Sequence, residues 1–124
     1  MNIEYNAQNI ILSDVSCFSL SISLDCGQTF RWRKNGSVWS GVAGGKALSV
    51  SQDGGKLILY NIKKEDLPFW INYFDLQTDY SAIVDGFMSD PVLNRACREY
   101  YGIRILRQDP WEALCSFIDR KSVV

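Results

Sequence analysis

The sequence predicts an α+β fold in which an antiparallel β-sheet is packed against helices. Between Gln28 and Ile62, short apolar segments alternate with glycine-containing turns, a pattern typical of an antiparallel meander. After Ile62 the apolar residues recur at helical spacing instead. Two Asp-Pro pairs, at residues 90–91 and 109–110, are typical of helix starts. A chain of 124 residues that is 47% hydrophobic can build one domain with a core.

The predicted strands occupy the first half of the chain. The first runs from Tyr5 to Leu12 and carries the apolar pair Ile10-Ile11. In the segment from Phe18 to Leu24, apolar residues alternate with serine, which fits either a strand or a short helical turn. Four further strands, separated by turns at residues 34–37, 44–45 and 53–55, are expected at Phe30–Arg33, Val38–Val42, Ala47–Ser51 and Lys56–Ile62.

Three helices are predicted to follow the strands. Trp70, Tyr73 and Phe74 are expected in the core, and Asp90 is expected to cap the third helix, which stops at Gly102. The three helices cover Lys64–Leu76, Ser81–Met88 and Asp90 to Tyr100 or Tyr101.

A fourth helix begins after the extended linker Ile103–Leu106. Asp109 as N-cap, Pro110 at the first helical position and Glu112 at the third come close to a capping box. The helix has room for about two turns before residues 119–124, so it is expected to be the first helix of something larger. Arg104, within this linker, and Arg107, directly after it, are expected to be solvated or ion-paired rather than bound to phosphate.

Composition excludes several kinds of site. The net charge of −1 counts against autonomous DNA binding, because neutralisation of phosphates by lysine and arginine supplies most non-specific affinity. The chain contains no histidine, which removes the commonest general base and metal ligand and any Ser-His or Cys-His nucleophile. Neither a metal site nor a cofactor is predicted.

The cysteines indicate the cellular compartment. Because the four are widely separated and form no C-x-x-C pair, they are expected to be buried free thiols rather than zinc ligands or disulfides. No apolar run approaches the roughly 20 residues of a membrane span, and no signal segment is seen at the N-terminus. A cytoplasmic protein is therefore expected, or a nuclear one in a eukaryote.

The segment Cys26–Trp32 allows two interpretations from its residue types. In one, a turn feeds an amphipathic strand that places Phe30 and Trp32 in the core, and Gly27 provides only a positive φ. In the other, Gly27 lets a ligand approach the backbone closely.

Several segments together resemble the amino-terminal part of 8-oxoguanine DNA glycosylases, in the same order and at compatible spacing. The resemblance covers about residues 10–118 and lies in Cys26–Trp32, Trp39-Ser40-Gly41, Tyr73–Leu76, Gly102–Glu112 and Ser116-Phe117-Ile118. It implies a TATA-binding-protein-like antiparallel sheet domain that precedes a helix-hairpin-helix catalytic domain. It also implies that the backbone carbonyl of Gly27 accepts a hydrogen bond from N7–H of 8-oxoguanine extruded from damaged double-stranded DNA.

The resemblance also divides the chain. Residues 1–106 correspond to the amino-terminal domain, 107–118 to the first helix of the missing catalytic domain, and 119–124 to a tail unlike the family. No lysine or aspartate here matches the family's catalytic pair, so the fragment is expected to be inactive although its parent is a glycosylase and lyase. The alternative is a stand-alone, non-catalytic module that binds DNA or protein. Self-association is expected through an apolar face formed by Trp111, Leu114, Phe117 and Ile118.

Overall fold

The computed structural model describes residues 1–122, with side chains up to residue 119. The strands are β1 (Asn2–Asn6), β2 (Asn9–Ser13), β3 (Trp32–Asn35), β4 (Val38–Ala43), β5 (Lys46–Asp53) and β6 (Lys56–Tyr60). The helices are α1 (Leu20–Leu24), α2 (Leu67–Tyr73, preceded by a 3₁₀ turn at Lys64–Asp66), α3 (Tyr80–Asp85), α4 (Pro91–Glu99) and α5 (Pro110–Ser122).

The six strands form one antiparallel sheet in the order β1-β2-β6-β5-β4-β3. Trp39, Val50, Leu59 and Ile10 are successive partners in register across β4, β5, β6 and β2, and all four are buried. Helices α1 and α2 add apolar residues to this core, whereas α3 and α4 bury none. The predicted fold class, an antiparallel sheet with packed helices, is confirmed.

The amino-terminal strand prediction is wrong in its bounds. Residues 2–13 form a hairpin of two strands, not one strand from Tyr5 to Leu12. The chain reverses at Ala7, which has a φ of 52°. Left-handed backbone is uncommon for alanine, and neither of the two turn residues, Ala7 and Gln8, is the glycine or asparagine that usually signals such a turn.

The segment from Phe18 to Leu24, for which the sequence allowed either a strand or a helical turn, contains helix α1. The Ser19 side chain accepts a hydrogen bond from the backbone N–H of Ile22 and caps α1. The prediction for Phe30 is wrong, because β3 begins only at Trp32 and Phe30 is 40% exposed. Trp32 is buried as expected.

Aromatic side chains fill the core where α2 meets the sheet. Trp70, Tyr73 and Phe74 are buried, as predicted, and Trp32 contacts all three rings. The Trp32 and Trp70 rings meet edge to face, with centroids 5.9 Å apart. The aromatic cluster therefore joins the first residue of β3 to α2.

The two Asp-Pro starts both open helices. Asp90 accepts hydrogen bonds from the N–H groups of Val92 and Leu93, and Asp109 accepts one from Glu112. The predicted length of α5 is too short, because the helix continues beyond residue 118 to Ser122. The last two residues of the predicted 119–124 tail lie outside the described residues. Among the described helices, none has the length and apolarity needed to span a membrane.

Candidate functional site

The loop of residues 25–31 connects α1 to β3 and lies at the surface. Gly27 in this loop is exposed and has a φ of +93°. Apart from its two chain neighbours, no described atom lies within 4 Å of the position that a Cβ would occupy there. The backbone of Gly27 is therefore open to a ligand, and its conformation is one that other residues rarely adopt.

The Gln28 side chain fixes this loop to the linker before α5. Its amide nitrogen, Nε2, donates to the backbone carbonyl of Arg104 at 2.8 Å, and its oxygen, Oε1, accepts from the backbone N–H of Leu106 at 2.8 Å. Nε2 also lies 3.2 Å from both the Ser23 carbonyl and the Cys26 sulfur. One side chain thus forms hydrogen bonds with backbone groups of two segments that are distant in sequence.

A second glutamine ties the two segments from the other side. The Gln108 Nε2 atom donates to the backbone carbonyl of Gln28 at 2.6 Å. The segments Cys26–Trp32 and Gly102–Glu112, which carry much of the family resemblance, are therefore in direct contact. No periodic pattern in the sequence marks either glutamine, because their partners lie far along the chain.

The start of the linker is held against α1. The buried Ser23 hydroxyl accepts from the backbone N–H of Arg104 at 3.1 Å and lies 3.4 Å from the Gly102 carbonyl. Gly102 has a φ of +92°, and a Cβ there would lie 2.5 Å from the backbone nitrogen of Ser19. The close packing of the linker on α1 thus requires glycine at position 102.

Arg104 is buried and forms no ion pair with any side chain that the structure describes, so its prediction is wrong. The residue is 4% exposed, and its guanidinium donates to four backbone carbonyls in two chain segments. It also lies 4.3 Å from the centre of the Tyr80 ring. The carbonyl partners belong to Ser16, Cys17, Asp75 and Thr78.

Arg107 is ion-paired, as expected. Its Nε lies 3.0 Å from the carboxylate of Asp75, which also accepts from the hydroxyls of Thr78 and Tyr80. Burial alone would raise the pKa of Asp75, but these three donors outweigh it and hold the pKa below its usual value. The linker is thereby anchored by a charged group.

A groove separates the Gly27 loop from α5. Its volume is about 390 Å³, and its walls include Thr29, Phe30, Trp39 and Ser116. Arg31 at one wall pairs with Glu112 of α5 at 3.4 Å, and Glu112 also accepts from the backbone N–H of Gly44. Glu112 therefore binds the sheet and the loop rather than completing the predicted capping box.

Below the groove, a hydrogen bond joins β3 to α2. Trp32 Nε1 donates to the Tyr73 hydroxyl oxygen at 3.0 Å. Burial raises the pKa of the Tyr73 hydroxyl, although this bond opposes the shift. The hydroxyl therefore stays neutral and structural.

The described residues contain no group of three or more histidine, cysteine, aspartate or glutamate side chains placed to hold a metal ion. All four cysteines are free. The prediction that they are buried holds for Cys17 but is wrong for Cys26 and Cys115, which are exposed.

Comparison with known proteins identifies the domain to which this loop belongs. A family model described as the 8-oxoguanine DNA glycosylase N-terminal domain matches residues 10–114. The chain belongs to this family. The match confirms the resemblance seen in the sequence and identifies the chain as a glycosylase amino-terminal domain.

Several relatives of this glycosylase domain are known. The N-glycosylase/DNA lyase OGG1 of Arabidopsis thaliana is 29% identical over 109 residues, which are 81% of this chain and 30% of that protein. The structure of MBOgg1 with a low-affinity DNA ligand is 38% identical with a TM-score of 0.91, and covers 97% of this chain and 42% of that one. The 8-oxoguanine glycosylase/lyase of Clostridium acetobutylicum in its apo form is also 38% identical, with a TM-score of 0.89, over 97% of this chain and 43% of that one.

The C. acetobutylicum enzyme has also been solved with double-stranded DNA that contains cytosine opposite 8-oxoguanine. The chain here is 39% identical to it over 95% of this chain and 41% of that one, with a TM-score of 0.89. The glycosylase domain therefore spans less than half the length of each of these relatives.

Proposed function

We propose that this domain supplies part of the lesion-recognition surface of an 8-oxoguanine DNA glycosylase and lyase acting in base excision repair. The observation that carries the proposal is Gly27, which combines an exposed backbone, a positive φ and a place in the family segment Cys26–Trp32. The solved complexes of relatives with DNA support damaged duplex DNA as the partner of the complete enzyme.

The chemistry of the lesion explains why a backbone carbonyl suits this role. N7 of guanine is an acceptor, whereas oxidation at C8 leaves N7 protonated and therefore a donor. A fixed carbonyl at Gly27 pairs with the oxidised base and faces a repelling lone pair in normal guanine. One such contact is worth about 1–3 kcal/mol of discrimination. A side chain at position 27 would crowd the extruded base.

Catalysis by the complete enzyme needs residues beyond these 124. A lysine that attacks the sugar must be activated by desolvation or by a neighbouring cation. No lysine lies in the loop of residues 25–31 or among residues 102–109. Lys34, Lys46 and Lys56 lie on strands, and Lys46 is paired with Asp66 at 3.2 Å. We therefore propose that the chain alone has no glycosylase or lyase activity.

A chimeric enzyme tests this function. The chain replaces the corresponding part of the C. acetobutylicum enzyme, and excision of 8-oxoguanine opposite cytosine is followed by strand scission and borohydride trapping. The chimera should cleave the lesion duplex in preference to a guanine duplex, and the chain alone should cleave neither. An inactive chimera that is folded would favour the stand-alone binding module instead.

Gly27→Ala in the chimera tests the site itself, with Gly36→Ala as the matched control. Both glycines have positive φ and open space where a Cβ would lie, so the backbone cost of the two substitutions is similar. Gly36 lies in the turn between β3 and β4, away from the loop. We expect Gly27→Ala to slow lesion excision roughly tenfold relative to Gly36→Ala. Equal excision rates for the two variants would contradict a role of Gly27 in lesion recognition.

We also propose that the isolated chain self-associates through the exposed face of α5. Trp111 is 71% exposed, and Leu114, Phe117 and Ile118 are each at least half exposed. These four residues recur at helical spacing on one side of the helix and form an uncovered apolar surface.

A further inference from the structure

We infer that Gln28 is a positioning residue for lesion discrimination: its side chain sets the orientation of the adjacent Gly27 carbonyl. The inference rests on the proposed function of Gly27. The half-buried Gln28 side chain bonds to the backbone of the linker, so it acts through its neighbour.

The argument begins with the peptide that joins the two residues. The Gly27 carbonyl and the Gln28 N–H belong to one rigid plane, whose direction depends on the dihedral angles on either side. Gly27 provides little restraint, because glycine populates a wide range of dihedral angles. The restraint must therefore come from Gln28.

Gln28 is held at both its side chain and its backbone. Its side-chain amide bonds to the backbones of Arg104 and Leu106, each at 2.8 Å, while its own carbonyl accepts from Gln108 at 2.6 Å. These bonds attach residue 28 to one short segment from two sides. The same segment is itself fixed by the buried Ser23 hydroxyl.

Preorganisation of this kind affects discrimination more than binding. A hydrogen-bond acceptor separates 8-oxoguanine from guanine only if it cannot turn away from an unfavourable partner. A mobile Gly27 carbonyl could rotate to avoid the N7 lone pair of guanine. Loss of the Gln28 contacts should therefore reduce the ratio of the excision rate for 8-oxoguanine to the rate for a base without N7–H.

The test compares Gln28→Met and Gln28→Glu in the chimeric enzyme. Methionine is similar in length but makes none of the amide contacts. Glutamate keeps the acceptor for Leu106 and loses the donor to Arg104. The matched control is Gln52→Met, because the Gln52 amide makes the same pair of bonds elsewhere: Nε2 to the Phe18 carbonyl at 2.7 Å and Oε1 from the Leu20 N–H at 2.8 Å.

The readout is the ratio of single-turnover excision rates on 8-oxoguanine and on 8-oxo-7-deazaguanine, in which C–H replaces N7–H. We expect Gln28→Met to lower this ratio at least about fivefold, Gln28→Glu to lower it less, and Gln52→Met to leave it unchanged. A role of Gln28 in stability alone would slow both substrates equally and leave the ratio intact, which would overturn the inference.

Two outcomes distinguish a failure of the Gln28 inference from a failure of the proposed role of Gly27. If the parent chimera does not prefer 8-oxoguanine over the 7-deaza analogue, the proposed role of Gly27 fails. If the chimera does prefer it and Gln28→Met retains the preference, only the Gln28 inference fails. Amide hydrogen exchange in the chain alone adds an independent check, because Gln28→Met should expose the Leu106 N–H whereas Gln52→Met should not.

Discussion

At the scale of single residues, Asp75 has the clearest consequence for stability. Its carboxylate accepts from Thr78, Tyr80 and Arg107, and its pKa in the folded chain lies below the ordinary value of 3.8. The stabilisation is therefore complete above about pH 4 and is lost as pH falls through the lowered pKa.

We expect Asp75→Asn to destabilise the chain by about 1–3 kcal/mol at neutral pH, and this difference to shrink as the pH falls below about 4. Urea unfolding at pH values between 7 and 2 measures it. Asparagine tolerates the positive φ of 55° at this position, so the backbone cost stays small. Asp53→Asn, which changes an exposed carboxylate, is the control. A difference that stays constant across this range would contradict the assignment.

What the sequence can show about single residues depends on how far away their partners lie. Asp90 and Asp109 were predictable as caps because they bond to N–H groups two or three residues later. Arg104 and Gln28 were not, because their partners come from segments that only the fold brings together. Gly27 stands between these cases: the resemblance points to it, and its positive φ fits both interpretations of the segment, so its role stays a prediction.

At the scale of elements, one carboxylate of α5 bonds both to the sheet and to the loop before β3. Glu112 accepts from the Gly44 N–H at 3.1 Å and pairs with Arg31 at 3.4 Å. The apolar residues of this helix are otherwise largely exposed. This contact therefore helps to hold α5 beside the loop of residues 25–31.

We expect Glu112→Ala to loosen α5 and to lower stability by about 1 kcal/mol, because it removes a charged acceptor from a backbone N–H. Hydrogen exchange in residues 110–122 should rise while exchange in the sheet stays slow. Glu99→Ala on α4, which removes an exposed pair with Arg95, should change stability by no more than about 0.5 kcal/mol. Unchanged exchange in α5 would show that other contacts hold the helix.

Element boundaries were predictable where glycine or Asp-Pro marks them. The turns at Gly36, Gly44-Gly45 and Gly54-Gly55 separate β3 to β6 as the sequence indicated. The first hairpin was missed because Ala7 makes a left-handed turn without glycine. The burial of Phe30 was wrongly predicted because the alternation of apolar and basic residues begins at Phe30, two residues before β3 starts at Trp32.

At the scale of the whole molecule, the proposed self-association through the exposed face of α5 predicts that the isolated chain pairs with a second copy. We expect sedimentation equilibrium to show an apparent mass that rises with concentration. Phe117→Glu should restore the monomer, because a charge would then lie within the apolar face. Val92→Glu is the control, since it changes a 76% exposed residue on α4. A monomer at all concentrations would contradict this prediction.

The strand order has a consequence for how the chain folds. Strands β3 to β6 are neighbours in sequence joined by two-residue turns, so each pairing closes a short loop. The pairing of β2 with β6 instead encloses the whole meander together with α1, and closing so long a loop costs more chain entropy. We expect the meander to form early and the seam between β2 and β6 to close late, so that the slowest step of folding brings the amino-terminal hairpin onto a sheet already built.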